Sequence, residues 1–154
     1  MSDEQAIEIL LVDDSAEDAE LTIRALRRGK VNNAIFPVRD GAEALDFIFG
    51  EGRFAYRTGQ LPHLIMLDLK MPRIGGIEVI KRLKASPRTA SIPVIVLTSS
   101  AAHQDMVQSY NLGINSYLMK PVSIAAFAEV ITQVGLTWTI TAAADFDEEA
   151  GRAD

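Results

Sequence analysis

Short apolar runs alternate along this chain with segments whose apolar residues recur at helical spacing. The run at residues 64–67 is wholly apolar and that at residues 7–12 mostly so, which is typical of strands that are buried on both faces of a parallel sheet. The predicted strands span residues 7–12, 34–38, 64–67, 92–97 and 115–119. Because a helical pattern follows each strand, we predict an α/β fold with a doubly wound, five-stranded parallel sheet.

The position of one proline indicates the strand order. Pro37 lies in the second predicted strand, and it has no backbone N–H to donate to a neighbouring strand, which favours a sheet edge. The flavodoxin-like order 2-1-3-4-5 has its second and fifth strands at the edges. We therefore predict that order. The long connector at residues 51–62 contains Phe54 and Tyr56, so we expect it to pack against the domain.

Composition narrows the class of protein. The 154 residues are 48% hydrophobic, which is enough for the core of one domain. No apolar run approaches the ~20 residues of a membrane span, the polar N-terminus is unlike a signal peptide, and the absence of cysteine excludes disulfides. Of the net charge of −6, residues 145–154 carry most, and no basic stripe suggests nucleic-acid binding. We expect a cytoplasmic protein.

Polar side chains follow four of the predicted strands at the points where the strands end. Asp13 and Asp14 follow the first strand, Asp68 the third, Thr98 the fourth and Lys120 the fifth. Parallel strands present their carboxyl ends at one edge, and strands one and three meet at the switch point of this order. We therefore expect three carboxylates, a hydroxyl and an ammonium to converge in one crevice.

This set of groups suits a metal-assisted phosphoryl transfer. Carboxylates that lie close together raise one another's pKa values unless a cation offsets their charge. Oxygen ligands without histidine or cysteine favour Mg²⁺, and a carboxylate beside it can attack a phosphoryl group to form an aspartyl phosphate. Such a transfer depends mainly on positioning and charge neutralisation, for which Lys120 supplies a positive charge and Thr98 a hydroxyl donor.

Each of these residues also has an ordinary structural explanation. Asp13 and Asp14 could cap the following helix, Thr98 could end a strand as a β-branched residue, and Lys120 could be a surface lysine. Five such residues at the ends of their strands are harder to explain in that way. The pattern therefore favours a functional site.

Four motifs make the chain resemble the receiver domain of two-component response regulators over about residues 7–134. They are LVDD at residues 11–14, LDLKMP at residues 67–72 with Gly76, LTS at residues 97–99, and Tyr117 with Lys120-Pro121. The spacings between them match that family as well. We therefore expect a receiver domain over residues 1–136, followed by an extension with an acidic tail over residues 137–154.

The resemblance implies roles for the matching residues. Asp68 would accept a phosphoryl group from a histidine kinase. Asp14, Asp68 and the main-chain carbonyl of Lys70 would bind Mg²⁺ directly, and Asp13 would bind it through water. The residues that would contact the phosphoryl group or respond to it are Thr98, Ser99, Tyr117 and Lys120. The peptide bond between Lys120 and Pro121 would be cis.

Within that family, the chain resembles the small single-domain regulators that are paired with bacterial phytochromes. The long connector before the third strand and the continuation through Trp138 point that way. Two other functions are alternatives. A haloacid-dehalogenase-type phosphatase would need a second aspartate where Lys70 stands, and Asp13 and Asp14 would repel the phosphate of FMN in a flavodoxin-like module.

We expect a signalling protein without a small-molecule substrate, acting through protein contacts or by relaying its phosphate onward. We also expect a symmetric homodimer through the predicted helix before Gly113, the fifth strand and the last helix. Tyr110, Tyr117 and Trp138 are the expected interface residues, because aromatic side chains are favoured anchors at interfaces. The alternative is that these residues pack only within their own domain.

Overall fold

Five parallel strands form one sheet in the order β2-β1-β3-β4-β5. The computed structural model describes residues 8–57, 60–69, 75–99 and 113–134. The predicted fold class and strand order are confirmed. The strands are β1 (Ile9–Val12), β2 (Ile35–Val38), β3 (Leu64–Asp68), β4 (Val94–Thr98) and β5 (Ser116–Met119).

Burial separates the inner strands from the edge strands. Every residue of β1, β3 and β4 is buried, as expected for strands that are covered by helices on both faces. The edge strands β2 and β5 are only partly buried. Pro37 is exposed and pairs in register with Leu11 on its inner side, so the N–H that it lacks costs the sheet no hydrogen bond.

Local capping signals define the helix ends. The helices are α1 (Ala16–Arg28), α2 (Gly41–Phe49), α3 (Gly76–Ala85) and α4 (Ile124–Val134). Ser15 Oγ accepts a hydrogen bond from the backbone N–H of Asp18 at 3.1 Å, and Asp40 Oδ1 accepts one from that of Glu43 at 2.8 Å. Gly50 ends α2 in the left-handed conformation, with φ 67°, which glycine adopts without steric cost.

Two hydrophobic clusters cover the two faces of the sheet. Leu10 and Val12 of β1 pack in one cluster with residues of α2 and α3. Ile9 and Leu11 pack in the other with residues of α1 and α4, including Phe127. Alternate residues of a strand point to opposite faces, so four consecutive apolar residues serve both clusters.

Several predicted elements lie outside the described residues. They are the helix expected before Gly113, which includes Tyr110, and the extension that contains Trp138; Lys70 lies outside them too. Among the described helices, none has the length and apolar character needed to cross a lipid bilayer.

The connector between α2 and β3 packs through an arginine as well as through aromatic residues. Phe54 is buried as expected, but Tyr56 is 74% exposed. The buried position belongs to Arg57, whose guanidinium lies 3.7 Å from the ring centroid of Phe47. Arg57 Nη2 also lies 2.8 Å from Glu8 Oε1. A guanidinium is tolerated there because its charge is paired and its planar face stacks on an aromatic ring.

We predict that Arg57→Met destabilises the domain by about 2–3 kcal/mol, because it leaves the partly buried carboxylate of Glu8 without its partner. Urea unfolding would measure the change. The matched control is Arg53→Met in the same connector, since Arg53 is 66% exposed at its side chain and pairs with Glu43 at 3.5 Å. An exposed pair contributes about 0.5 kcal/mol or less, so equal losses in both variants would contradict the assignment.

Candidate functional site

The carboxyl ends of β1 and β3 bring three aspartates together. Asp13, Asp14 and Asp68 each place a carboxylate oxygen within 4.8 Å of the others. Asp13 and Asp68 are buried, whereas Asp14 is exposed. The neighbouring strands β1 and β3 are aligned with Val12 beside Leu67, so Asp13 and Asp68, the next residue of each, occupy matching positions at the same edge of the sheet.

The ammonium of Lys120 lies among these carboxylates. Lys120 Nζ is 2.9 Å from Asp68 Oδ2 and 2.9 Å from Asp13 Oδ2. Lys120 directly follows β5, and its backbone N–H donates to the carbonyl oxygen of Thr98 at 2.8 Å. This bond continues the pairing of β5 with β4 by one residue and holds the start of the Lys120 side chain at the sheet edge.

A glycine at the start of α3 allows the helix to approach the acidic edge closely. A Cβ atom on Gly76 would lie 2.8 Å from the Cα of Leu69 and 3.1 Å from the carbonyl oxygen of Asp68. No side chain fits there unless the backbone moves. The Gly76 N–H donates to the Leu69 carbonyl at 3.3 Å. Gly76 therefore lets α3 pack directly against the residues around Asp68.

The remaining predicted site residues lie at varied distances from this centre. Thr98 ends β4 and is buried, and Ser99 after it is exposed. The Lys120–Pro121 peptide bond is cis. Tyr117 lies on β5 beside Val96, where it is half-buried against the cluster of α2 and α3. Burial raises the pKa of its hydroxyl.

The electrostatics of the site are dominated by Asp13 and Lys120. Burial raises the pKa of Asp13, and the N–H of Ser15 and the ammonium of Lys120 lower it only in part. Burial also disfavours the charge of Lys120, but its carboxylate partners outweigh this effect and raise the pKa of Lys120. The ammonium is therefore charged throughout the physiological range, while three carboxylates share one edge.

The donor set is of the kind that binds a hard divalent cation. Three carboxylates, with oxygens close enough to share one ion, outnumber the single ammonium. Ions such as Mg²⁺ take carboxylate and carbonyl oxygens as ligands, and a cation here would offset the repulsion that the burial of Asp13 aggravates. The carbonyl of Lys70, which the resemblance to the receiver family implied as a further ligand, lies outside the described residues.

One residue of the site was missed by the sequence-based prediction. The backbone N–H of Asp18 donates to Ser15 Oγ at the start of α1. Its carboxylate, however, reaches the site, where Asp18 Oδ2 lies 2.9 Å from Lys120 Nζ. The residues are 102 positions apart, and only the packing of α1 beside the segment after β5 brings them together.

Comparison with known proteins identifies relatives of this arrangement. The family model of the response regulator receiver domain matches residues 9–132. Among solved structures, the bacteriophytochrome response regulator AtBRR is 41% identical, with a TM-score of 0.83 over 87% of this chain and 96% of that one. The bacteriophytochrome response regulator RtBRR is 39% identical, with a TM-score of 0.82 over 97% of this chain and 95% of that one.

A third relative bears on the metal site. Response regulator Rcp1 of Synechocystis sp. (strain PCC 6803) is 34% identical over 133 residues, which cover 86% of this chain and 89% of Rcp1. Its crystal structure is of a form with bound Mn²⁺, and it superposes with a TM-score of 0.67 over 88% of this chain and 96% of that one, at 32% identity.

We predict that Lys120→Met lowers the free energy of unfolding by about 2–4 kcal/mol at pH 7 when divalent cations are absent. Lys120 lowers the pKa of Asp13, so its loss raises that pKa further above the ordinary value of 3.8. The folded state then binds more protons than the unfolded state, and stability falls as the pH rises above 3.8.

The loss should therefore be larger at pH 7 than at pH 5, as measured by urea unfolding at both values. Lys120→Arg keeps the positive charge and serves as the control, for which we expect little dependence on pH over this range. A loss in Lys120→Met that is the same at both pH values would contradict the role of Lys120 in offsetting the charge of Asp13.

Proposed function

This chain belongs to the response regulator receiver domain family, and from that premise we propose that Asp68 accepts a phosphoryl group from a sensor histidine kinase. The observation that carries the proposal is the position of Asp68. It ends a buried central strand, has the ammonium of Lys120 at 2.9 Å, and shares its edge with Asp13 and Asp14.

In the proposed transfer, an oxygen of Asp68 forms a bond to the phosphorus as the bond between phosphorus and the imidazole nitrogen of the kinase breaks. The electron pair of the broken bond goes to that nitrogen. Asp13, Asp14 and Asp68 would hold Mg²⁺, which when bound neutralises charge on the phosphoryl oxygens. Lys120 offers a second positive charge 2.9 Å from Asp68 Oδ2, and the strands keep all these groups in place during the transfer.

The same groups offer a route from phosphorylation to a change of shape. A phosphoryl group adds about −1.5 to −2 charges and new acceptor oxygens, which attract the ammonium of Lys120 and the hydroxyl of Thr98. Lys120 bonds through its backbone to Thr98 and follows β5, the strand of Tyr117. A movement of Lys120 and Thr98 toward the phosphate would make room for the half-buried ring of Tyr117 to turn inward.

A groove beside the site suits the approach of a kinase. It has a volume of about 330 Å³ and is lined by Asp18, Leu21, Thr22, Ser99, Lys120 and Pro121. Leu21 is 53% exposed. The groove therefore offers a partner both an apolar side chain to pack against and the ammonium beside Asp68. The similarity to AtBRR and RtBRR, which are bacteriophytochrome response regulators, leads us to propose a bacteriophytochrome as the kinase.

We further propose that the protein forms a symmetric homodimer through the outer edge of β5. In the described sheet, β5 pairs only with β4, and an open edge offers unpaired backbone groups to a partner. Met119 on this strand is 47% exposed and Tyr117 precedes it by two residues. Two-fold symmetry would place the same edge of both subunits in contact. Tyr110 and Trp138, which were also expected at the interface, lie outside the described residues.

The two alternative functions have less support. A phosphatase of the haloacid dehalogenase type needs an acid two residues after its nucleophile, where this chain has Lys70. An FMN-binding module needs a neutral phosphate loop after the first strand, where this chain has Asp13 and Asp14. The match to the receiver family over residues 9–132 favours a signalling role over both.

We predict that incubation with acetyl phosphate and Mg²⁺ adds one phosphoryl group, which intact-mass spectrometry would detect. Asp68→Asn should abolish the addition, because an amide nitrogen or oxygen is not a competent nucleophile here. Removal of Mg²⁺ with EDTA should also suppress it. Asp46→Asn, on α2, is the control and should be labelled like the wild type. Full labelling of Asp68→Asn would refute the assignment.

We predict different effects from placing a charge on Leu21 and on Met119. Leu21→Lys should slow phosphoryl transfer from a cognate kinase at least tenfold but leave labelling by acetyl phosphate and the dimer mass unchanged. Met119→Lys should convert the dimer to a monomer in light scattering at tens of micromolar and leave kinase transfer intact. A monomeric wild-type protein, phosphorylated or not, would rule out the dimer. Equal rates of kinase transfer in both variants would rule out the groove that contains Leu21 as the surface that binds the kinase.

A further inference from the structure

We propose that Asp18 is a positioning residue that competes with the phosphoryl group on Asp68 for the ammonium of Lys120. This inference rests on the proposed function of Asp68. In the absence of phosphate, Asp18 would hold the ammonium on the side of α1, and phosphorylation would draw the ammonium away from it. Asp18 would thereby limit both donor binding and the stability of the phosphorylated state.

The contacts of the ammonium are the first part of the argument. Lys120 Nζ lies 2.9 Å from an oxygen of each of three carboxylates, those of Asp13, Asp18 and Asp68. Lys120 donates hydrogen bonds to Asp18 and Asp68, whereas its contact with Asp13 Oδ2 is an ion pair without hydrogen-bond geometry. Three carboxylate oxygens thus surround the ammonium at close distance, so an oxygen of the phosphoryl donor can reach it only if one of them moves away.

The exposures of the three carboxylates indicate which one yields. The side chain of Asp13 is 0% exposed and that of Asp68 is 12% exposed, whereas that of Asp18 is 45% exposed. A carboxylate that loses its partner in a buried place is left with an uncompensated charge, whereas a half-exposed one is solvated by water. Asp18 is therefore the partner whose release costs least.

The place of Asp18 in α1 explains why it cannot follow the ammonium. Its backbone N–H donates to Ser15 Oγ at 3.1 Å, which anchors the first turn of the helix. The N-terminal end of a helix favours a negative charge, so the released carboxylate stays stabilised where it is. Asp18 also lines the groove that contains Leu21. The competition for Lys120 would therefore take place at the surface that we propose binds the kinase.

Asp18→Asn tests the proposal because it removes the charge with little change in shape. The initial rate of phosphorylation would be measured against the concentration of acetyl phosphate, with Mg²⁺ saturating. We expect the concentration of half-maximal rate to fall about two- to fivefold, the effect of one partly exposed ion pair. Glu17→Gln is the matched control, since it removes the same charge from the same turn of α1 at an exposed position, and it should behave like the wild type.

Two further measurements distinguish the direct contact between Asp18 and Lys120 from the general electrostatic effect of a negative charge near the site. At about 1 M salt the screening length is about 3 Å, so an effect of Asp18→Asn that persists there comes from the direct contact. Asp18→Glu keeps a carboxylate within reach of Lys120 and should return the half-maximal concentration toward the wild-type value.

The results also separate this inference from the function on which it rests. If the wild type is labelled but Asp18→Asn behaves like Glu17→Gln, or needs more donor than the wild type, the competition is wrong and the role of Asp68 stands. If the wild type is not labelled, the proposed function fails and this inference fails with it.

Discussion

The arrangement of the site depends on one ammonium that holds several carboxylates at the edge of a buried sheet. Asp13 and Asp68 are buried at the ends of adjacent central strands, and each lies 2.9 Å from Lys120 Nζ. Without a cation their charges would oppose the packing that places them there. Because the excess of negative charge persists even with Lys120 in place, the same edge is suited to a divalent cation and to an anionic phosphoryl group that arrives with it.

The core makes this concentration of charge tolerable. All residues of β1, β3 and β4 are buried, and the two hydrophobic clusters on either side of the sheet hold the strands in register. The favourable burial of apolar surface in these clusters offsets the cost of the polar edge, as is common where a functional site departs from what stability alone would favour. Gly76 contributes by letting α3 approach the backbone at Asp68.

The site is also connected to the surface in two directions. Toward α1, Lys120 contacts Asp18 and borders the groove that contains Leu21. Toward the sheet edge, Lys120 follows β5, on which Tyr117 is half-buried and Met119 exposed. Lys120 thus lies between the groove beside α1 and the edge strand β5. Under the proposed function, this position would let the chemistry at Asp68 influence protein contacts on both sides.

The sequence alone determined the fold class, the strand order and the set of residues at the strand ends, because these follow from local patterns. Apolar runs predict buried strands, Pro37 predicts an edge, and an acidic residue after a parallel strand must lie at the common edge. Tertiary structure decided what local patterns do not encode. Asp18 and Lys120 meet across 102 positions because α1 packs beside the end of β5. Arg57 is buried because the ring of Phe47 on the preceding helix and the carboxylate of Glu8 from before β1 converge on it. In both cases packing brings the partners together.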